Sequence, residues 1–223
     1  MRKSFCLAVP QTTSTMYVPD SFKVANEGDV EAFLHRYDFA TLVSPADGSL
    51  TATHLPVVVR REAAGLVVVG HVARANPHWK TLDGLVEGLL VFQGPHAYVS
   101  PTWYANGPAV PTWNYAVVHA YGRPEAVDDA KFLADVLEAL VSRYEAHRPH
   151  AWQMDSLPTD YRSRALSAVV GIRMPVLKLE AKFKLGQNRV AADRIGTVAG
   201  LEQEGSAEAA SLASFMRAHL KDG

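Results

Sequence analysis

Segment 110–122, VPTWNYAVVHAYG, opens with side chains that could bind a flat ligand: Trp113, Asn114 and Tyr115 stand in direct succession. A strand that only fills a core begins with Val, Ile or Thr, because buried amides and phenols need hydrogen-bond partners. Large aromatic faces beside hydrogen-bonding groups suit either a planar ligand edged with donors and acceptors or a wet interface between subunits. From these residues alone, both interpretations stay open.

Segment 70–80, GHVARANPHWK, carries groups that suit an anion. An apolar strand pattern runs into Arg74 and Asn76, and Lys80 follows after a proline. Guanidinium and ammonium groups could converge there on a phosphate. The same residues also predict a helix N-cap at Asn76 with Pro77 at the first helical position. The capping role and the anion role are compatible.

Segment 52–56, ATHLP, places Thr53 and His54 within a strand pattern that ends at Pro56. A histidine in this position is a candidate ligand contact, but it is more often a satisfied core or interface residue.

The aromatic segment 92–104, FQGPHAYVSPTWY, leads into a turn that ends at Pro111. Prolines fix the backbone of this segment, so its aromatic side chains are held in place. A binding loop and a rigid packing corner are equally good interpretations.

The sequence lacks the usual catalytic motifs: it has no G-x-S-x-G, H-E-x-x-H or P-loop pattern, and no G-x-G-x-x-G after a strand. The histidine pairs worth testing as metal ligands, His71 with His78 and His96 with His119, lack helical spacing and nearby acids. We therefore predict no metal site, and no catalytic residue can be assigned.

The composition is that of an ordinary globular protein: 223 residues, 48% hydrophobic, with a net charge of −1 that favours neither nucleic acid nor an anionic membrane. One cysteine fits a reducing compartment. The apolar run 5–9 is too short for a secretory core, and no run approaches the roughly 20 residues that span a bilayer. We expect a cytoplasmic protein without membrane contact, in which residues 1–15 form a loose N-terminal extension.

Periodicity predicts an α+β fold in which an antiparallel sheet closes into a barrel with flanking helices. Strands are predicted at 39–45, 50–59, 65–72, 88–94, 110–122 and 176–185, and helices at 26–37, 77–86, 128–147, within 158–168 and at 206–221. In the last strand, Leu177 and alternate residues should pack, while Lys178, Lys182 and their alternates should face water.

Six motifs in this order resemble the PaiB family, described as FMN-binding negative transcriptional regulators with a split-barrel fold. The motifs are MYVP, ATHLP, GHVARANPHW, GPHAYVSPTWY, VPTWNYAVVHAYG and KFKLGQNR, and they extend from residue 16 to about 190. Gly186 stands where the family's late motif is expected to have serine. We therefore expect an FMN-binding split-barrel domain over 16–190 and a C-terminal helical tail over 191–223.

The resemblance implies a homodimer with FMN at each subunit boundary. By position, Thr53, His54 and Leu55 would contact the flavin. His71, Arg74, Asn76 and Lys80 would surround the phosphate. Trp113 and Asn114 would close the site from the other subunit.

Three function classes stay open. The first is a flavin-binding regulator, for which DNA could bind the basic tract 162–189; residues 161–189 contain seven basic residues and a single acid, Glu180. A solvated strand face would explain the lysines of that tract equally well. The second class is a flavin-dependent oxidoreductase. The third is a haem-binding split barrel, with His54, His71 or His119 as an axial ligand.

Overall fold

The computed structural model of the chain describes residues 16–105 and 107–219. The strands in this part are β1 (Phe39–Ala46), β2 (Ser49–Glu62), β3 (Gly65–Ala73), β4 (Gly88–Val99), β5 (Thr112–Gly122), β6 (Glu125–Val127) and β7 (Val169–Lys184). The α-helices are α1 (Glu27–Arg36), α2 (Ala130–Glu145), α3 (Thr159–Ser167), α4 (Ala191–Gln203) and α5 (Ala207–His219). The predicted extension 1–15 lies outside the described residues.

The seven strands form one antiparallel sheet in the order β3-β2-β1-β4-β5-β7-β6. β3 also pairs with β7, from Val67 opposite Pro175 to Ala73 opposite Val169, and this pairing closes the sheet into a barrel. β7 is shared between two halves, because residues 176–184 pair with β5 while residues 169–175 pair with β3. The predicted α+β fold with an antiparallel barrel is confirmed.

Four of the predicted α-helices are confirmed with small shifts at their ends, as α1, α2, α3 and α5. Asn26 caps α1 by accepting a hydrogen bond from the backbone N–H of Gly28 at 2.8 Å. The helix predicted over 77–86 is only a short 3-10 helix, Pro77–Thr81. Helix α4 falls within the expected helical tail 191–223, but it was not predicted as a separate helix.

The barrel interior is filled by alternate side chains of the strands, since successive residues of a strand point to opposite faces. Its most deeply buried large residues include Leu42, Leu55, Phe92, Val118 and Met174. Helix α2 covers the outside of β2 and β3, where its Val136 and Leu140 pack on Val67 and Val69. This position agrees with the covering role expected for that helix.

Helices α4 and α5 contribute Leu201, Leu212 and Met216 to the same core as the barrel strands. A side chain at Gly196 or Gly200 would overlap Trp103, so these two glycines let α4 lie directly against the aromatic segment before β5. The C-terminal helices are therefore packed on the barrel wall.

The predicted alternation of β7 is wrong at Leu177 and along its polar face, where the side chains of Lys178 and Glu180 are only 18% and 9% exposed. Leu177 is 63% exposed, whereas Lys182 is only 7% exposed. Leu177 lies where β7 passes from one half of the barrel to the other, so neither half covers it. Lys182 is covered by the N-terminal segment, because its ammonium donates to the Tyr17 carbonyl at 2.9 Å.

Candidate functional site

The turn after β3 begins with the predicted cap. The Asn76 side chain accepts a hydrogen bond from the backbone N–H of His78 at 3.0 Å, and Pro77 occupies the first helical position. The capping interpretation of this residue is confirmed. The Asn76 amide group also donates to the Thr53 hydroxyl at 3.1 Å, so the cap ties the turn to β2.

His78, which the sequence analysis considered only as a metal ligand beside His71, is the centre of a buried polar network. Its Nε2 lies 2.8 Å from the Ser44 hydroxyl, and its Nδ1 lies 2.8 Å from the Thr53 hydroxyl. Burial lowers the pKa of His78, so the neutral ring is favoured. The network holds Thr53 in one orientation. No motif could have revealed it, because Ser44 belongs to another strand.

Arg74 is used mainly within the protein. Its guanidinium group forms two hydrogen bonds to the carboxylate of Asp128, at 2.9 and 2.6 Å. It also donates to the carbonyls of Ser167 at 2.6 Å and Val169 at 3.1 Å. The hydrogen bond between the two side chains raises the pKa of Arg74 and lowers the pKa of Asp128. These contacts occupy four of the five guanidinium donors.

Lys80 is exposed, and its ammonium lies 5.9 Å from the centre of the Trp79 ring. Trp79 is itself held in place, because its indole N–H donates to the Arg74 carbonyl at 2.9 Å. Among the residues that the structure describes, Lys80 forms no ion pair with a carboxylate. Its charge is therefore available to an anion at this turn.

His54 lies on the outer surface of β2, whereas its neighbour Leu55 is buried in the barrel. The Nδ1 of His54 lies 2.9 Å from the Thr41 hydroxyl. The His54 ring stacks on Phe39 with the ring centres 6.5 Å apart, and Phe39 is 66% exposed. Phe39 thus gives His54 an exposed aromatic neighbour, while Leu55 can offer an outside ligand only its backbone.

His71 lies on β3, and its Nδ1 is buried without a hydrogen-bond partner among residues 16–105 and 107–219. Burial lowers the pKa of this histidine and favours its neutral form. A buried nitrogen without a partner carries a desolvation cost, which a ligand could remove. His71 is therefore a predicted site residue with a polar group that a ligand could satisfy.

Trp113 begins β5 with 54% of its surface exposed. It meets Tyr98 edge to face, with ring centres 6.4 Å apart, and lies 6.3 Å from the His96 ring. Asn114, the next residue, points the opposite way, because it is buried and its amide lies 3.7 Å from the Met216 sulfur. Within one chain, only Trp113 of this pair faces outward.

The two predicted halves of the site share one face of the sheet but do not meet in one chain. Thr41 pairs with both His54 and Val91, and Tyr98, farther along β4, pairs with Trp113. Val91 and Tyr98 lie seven positions apart on β4, which is roughly 23 Å at about 3.3 Å per residue. We call this surface the aromatic face; its members are Phe39, Thr41, His54, Gln93, His96, Tyr98 and Trp113.

A groove on the described part of the chain lies away from these residues. It has a volume of about 650 Å³ and is bordered by segment 18–31 and by residues 176–181 of β7. None of the nine predicted site residues lines it.

The basic tract does not form a continuous free surface. Most of its members bond within the protein: Arg162 with Asp155, Arg164 with Asp160, Arg173 with Glu62 and Glu125, Lys178 with Glu180, Lys182 with the Tyr17 carbonyl, and Lys184 with Thr112. Among the basic side chains of the tract that form ion pairs, that of Arg164 is the most exposed, at 72%.

Residues 16–105 and 107–219 contain neither a metal-binding cluster nor a membrane-spanning helix. No three His, Cys, Asp or Glu side chains come together as a metal site there. None of the helices in that part of the chain is long and apolar enough to span a membrane.

Comparison with known proteins connects this geometry to a family. Residues 16–178 match the family model described as "Putative FMN-binding domain". The chain is 35% identical over 206 residues to the protease synthase and sporulation protein PAI 2 of Bacillus subtilis (strain 168), covering 92% of this chain and 99% of that protein.

Two solved structures share the fold. The flavocytochrome Anf3 from Azotobacter vinelandii superposes with a TM-score of 0.57 at 18% identity, covering 74% of this chain and 70% of that one. The FAD and heme binding protein from Mycobacterium smegmatis superposes with a TM-score of 0.54 at 16% identity, covering 78% of each chain. At these identities the likeness shows the split-barrel fold alone.

Proposed function

The chain belongs to the PaiB family of FMN-binding split-barrel proteins, and on that premise we propose that two copies of it hold FMN at their shared boundary. The observation that carries this proposal is the aromatic face. It exposes Phe39 by 66%, Tyr98 by 44% and Trp113 by 54% on one side of the sheet. Exposed apolar surface of this kind is typical of an interface.

The separation along the face supports a site made by two chains. Along β4, Val91 at the His54 end of the face and Tyr98 beside Trp113 lie seven positions apart, which is roughly 23 Å at about 3.3 Å per residue. In a twofold-symmetric dimer each chain offers the same surface to the other, so Trp113 of one copy can lie over His54 of the other. Two equivalent sites then form for two copies of the chain.

The groups at the His54 end fit an isoalloxazine ring. Leu55 turns its side chain into the core and leaves its backbone to the ligand, and Thr53 is held still by His78. The unsatisfied Nδ1 of His71 is a further polar group on β3. A flavin needs an aromatic or apolar cover and hydrogen-bonding groups at its pyrimidine edge, and these residue types provide both.

We assign the flavin phosphate to Lys80 in preference to Arg74. Asp128 and two backbone carbonyls already use most of the Arg74 guanidinium group. Lys80 lies six residues farther along the same turn, and its ammonium is exposed. Arg74 and Asn76 hold the turn in place, and Lys80 supplies the charge.

Bound FMN would supply hydride and one-electron chemistry. The protein would hold the ring between β2 of one chain and Trp113 of the other and would exclude water from it. If the protein is an enzyme, we therefore propose a flavin-dependent oxidoreductase that acts on a small molecule. Haem binding through His71 is the alternative, because the Nδ1 of this residue lacks a partner. The absorption spectrum of the purified protein distinguishes the two cofactors.

A negative regulator of transcription is a second proposal, taken from the family resemblance. The feature in its favour is α3, which has no buried residue and carries Arg162 and Arg164 on its surface. If these arginines contact phosphates, duplex binding should weaken steeply with salt, because each contact releases counterions. Anisotropy titrations at two salt concentrations, on the wild type and on Arg162→Glu/Arg164→Glu, would test this role. Equal binding by both proteins would remove α3 from it.

The main proposal is tested by following flavin and assembly together. Protein freed of cofactor is titrated with FMN, and bound flavin is recorded by fluorescence while light scattering gives the mass at each dilution. We expect FMN to be released as the dimer dissociates. A monomer that keeps FMN with undiminished affinity would refute the two-chain site.

A further inference from the structure

The late motif KFKLGQNR places a second group of cations beside Trp113. Lys184, the last residue of β7, donates from its ammonium to the Thr112 hydroxyl and to the Trp113 carbonyl, both at 2.5 Å. These bonds fix the charge at the start of β5. An ammonium group has three donors, so one remains for a ligand.

Arg189 follows after a tight turn, in which its backbone N–H donates to the Gly186 carbonyl at 2.9 Å. Gly186 has a positive φ of 82°, a conformation that favours glycine. The Arg189 guanidinium carbon lies 4.6 Å from the centre of the Tyr104 ring. Within residues 16–105 and 107–219, no hydrogen bond or ion pair was found for this side chain. Stacking therefore holds the guanidinium in position and leaves its donors available.

Lys182 adds charge from within the protein. Its ammonium is buried and lies 5.2 Å from the Tyr17 ring and 5.4 Å from the Tyr115 ring. Burial lowers the pKa of Lys184 most strongly, and the positive charges of Lys182 and Arg189 lower it further. In the described part of the chain, none of the three cations is paired with a carboxylate. The Asp193 carboxylate, four residues beyond Arg189, accepts a hydrogen bond from the backbone of Ala105 at 3.0 Å.

We propose that Lys184 and Arg189 form a binding site for the carboxylate or phosphate group of a small molecule. Unpaired cations that repel one another are stabilised when an anion binds between them. The fork of Arg189 can grip two oxygens at once, and the remaining proton of Lys184 can reach a third. Its residues differ from those assigned to the FMN phosphate at Lys80, and its contacts are argued without the FMN proposal.

A small anion fits these residues better than a nucleic acid does. Lys182 is buried and Lys184 spends two donors inside the protein, so neither can act as one of a row of exposed phosphate contacts. Aromatic side chains, Tyr104 and Trp113, adjoin the cations. The site thus offers a charged end and flat apolar walls, which suits a compact anionic ligand.

Phosphate titration by calorimetry tests the site. Inorganic phosphate is added to the full chain, with and without saturating FMN. Lys184→Gln and Arg189→Gln should each weaken phosphate binding about tenfold, because losing one hydrogen bond to a charged group reduces affinity by roughly a factor of ten. Lys131→Gln and Arg148→Gln are the controls, because both residues are exposed and lie in or just after α2. Arg189→Lys keeps the charge but not the fork, and it should lie between Arg189→Gln and wild type.

The source of the anion is decided by the same titrations. Undiminished phosphate binding to the FMN-loaded protein identifies a second ligand. Phosphate competition with FMN, but not with riboflavin, means that the site takes the flavin's own phosphate. Either result supports the anion site. Riboflavin affinity reports separately on the flavin proposal.

Two results would overturn the inference. One is equal phosphate affinity in Lys184→Gln, Arg189→Gln and their controls. The other is that Lys184→Gln and Arg189→Gln keep their phosphate affinity but lose binding to duplex DNA. That result would identify a nucleic-acid surface.

Discussion

Arg74 and Asp128 form a bidentate ion pair, with hydrogen bonds of 2.9 and 2.6 Å, across 54 positions of sequence. The pair joins the end of β3 to the residue before the N-cap of α2. Two further bonds from the same guanidinium reach Ser167 and Val169, where α3 passes into β7. One side chain thus fastens three segments, which explains an arginine here without a ligand.

The first prediction concerns this fastening. Arg74→Ala and Asp128→Asn should each lower the free energy of unfolding, and the double variant should lose less than the sum, because the two residues act through one contact. The ratio of FMN affinity to riboflavin affinity should stay the same. This ratio measures the contribution of the phosphate group to binding, because FMN and riboflavin differ only in that group. Urea unfolding and flavin titrations measure the two effects, with Arg148→Ala as the control. A lower ratio in Arg74→Ala would place this arginine on the phosphate.

The second prediction assigns that charge to Lys80. Lys80→Ala should reduce the ratio of FMN affinity to riboflavin affinity about tenfold, because a hydrogen bond to a charged group contributes roughly 1.5 to 3 kcal/mol. Riboflavin affinity should be unaffected. Lys131→Ala, which removes an exposed lysine of α2, should change neither value. If Lys80→Ala behaves like this control, the phosphate lies elsewhere.

The third prediction tests the aromatic face as the dimer interface. Trp113→Ser or Phe39→Ser should raise the dimer dissociation constant about thirtyfold or more, because truncating an aromatic interface anchor typically costs at least about 2 kcal/mol. FMN should be lost in parallel. Sedimentation velocity over a range of concentrations measures the change. Trp152→Ser is the control, since Trp152 is 43% exposed but not on the aromatic face. Equal loss of dimer in the control would mean that the effect is not specific to this face.

The fourth prediction concerns acid. Burial lowers the pKa values of His71, His78 and His119, so the unfolded chain binds more protons than the folded chain just below pH 6.5. The free energy of unfolding should therefore fall as the pH decreases from 6.5 through that window, with at most one proton from each histidine. Urea unfolding at pH 7 and pH 5 measures the slope.

His78→Gln should make that slope shallower, whereas His150→Gln, at an exposed position, should leave it nearly unchanged. His78→Gln also disturbs the bonds to Ser44 and Thr53, so its stability at pH 7 is compared first. An unchanged slope in His78→Gln would show that this histidine does not contribute.

The local sequence was enough to predict most elements of this protein. Alternating apolar residues marked the strands, because side chains in a strand point to opposite faces in turn. Asn26 and Asn76 marked two caps, since a short polar side chain satisfies the first free N–H groups of a helix. Helix α4 was expected only as part of a helical tail and its bounds were not predicted, because Gly196 and Gly200 weaken a helical pattern. The reason for these glycines is seen only in the fold, where Trp103 packs so closely that a side chain at either position would overlap it.

The roles of the candidate site residues depend on contacts between segments far apart in the chain, and no local sequence pattern encodes such contacts. Sequence alone could select Thr53, His54, Arg74 and Lys80 as polar groups at strand ends. Only the fold could show that Asp128 occupies Arg74 and that His78 holds Thr53.

The same limit applies to charge. Lys182 alternates along β7 like a solvated residue, yet the N-terminal segment covers it. Periodicity determines which residues share a face of a strand, because it follows from backbone geometry. Tertiary packing decides whether that face meets water, protein or a ligand, because the answer depends on segments far away in the chain.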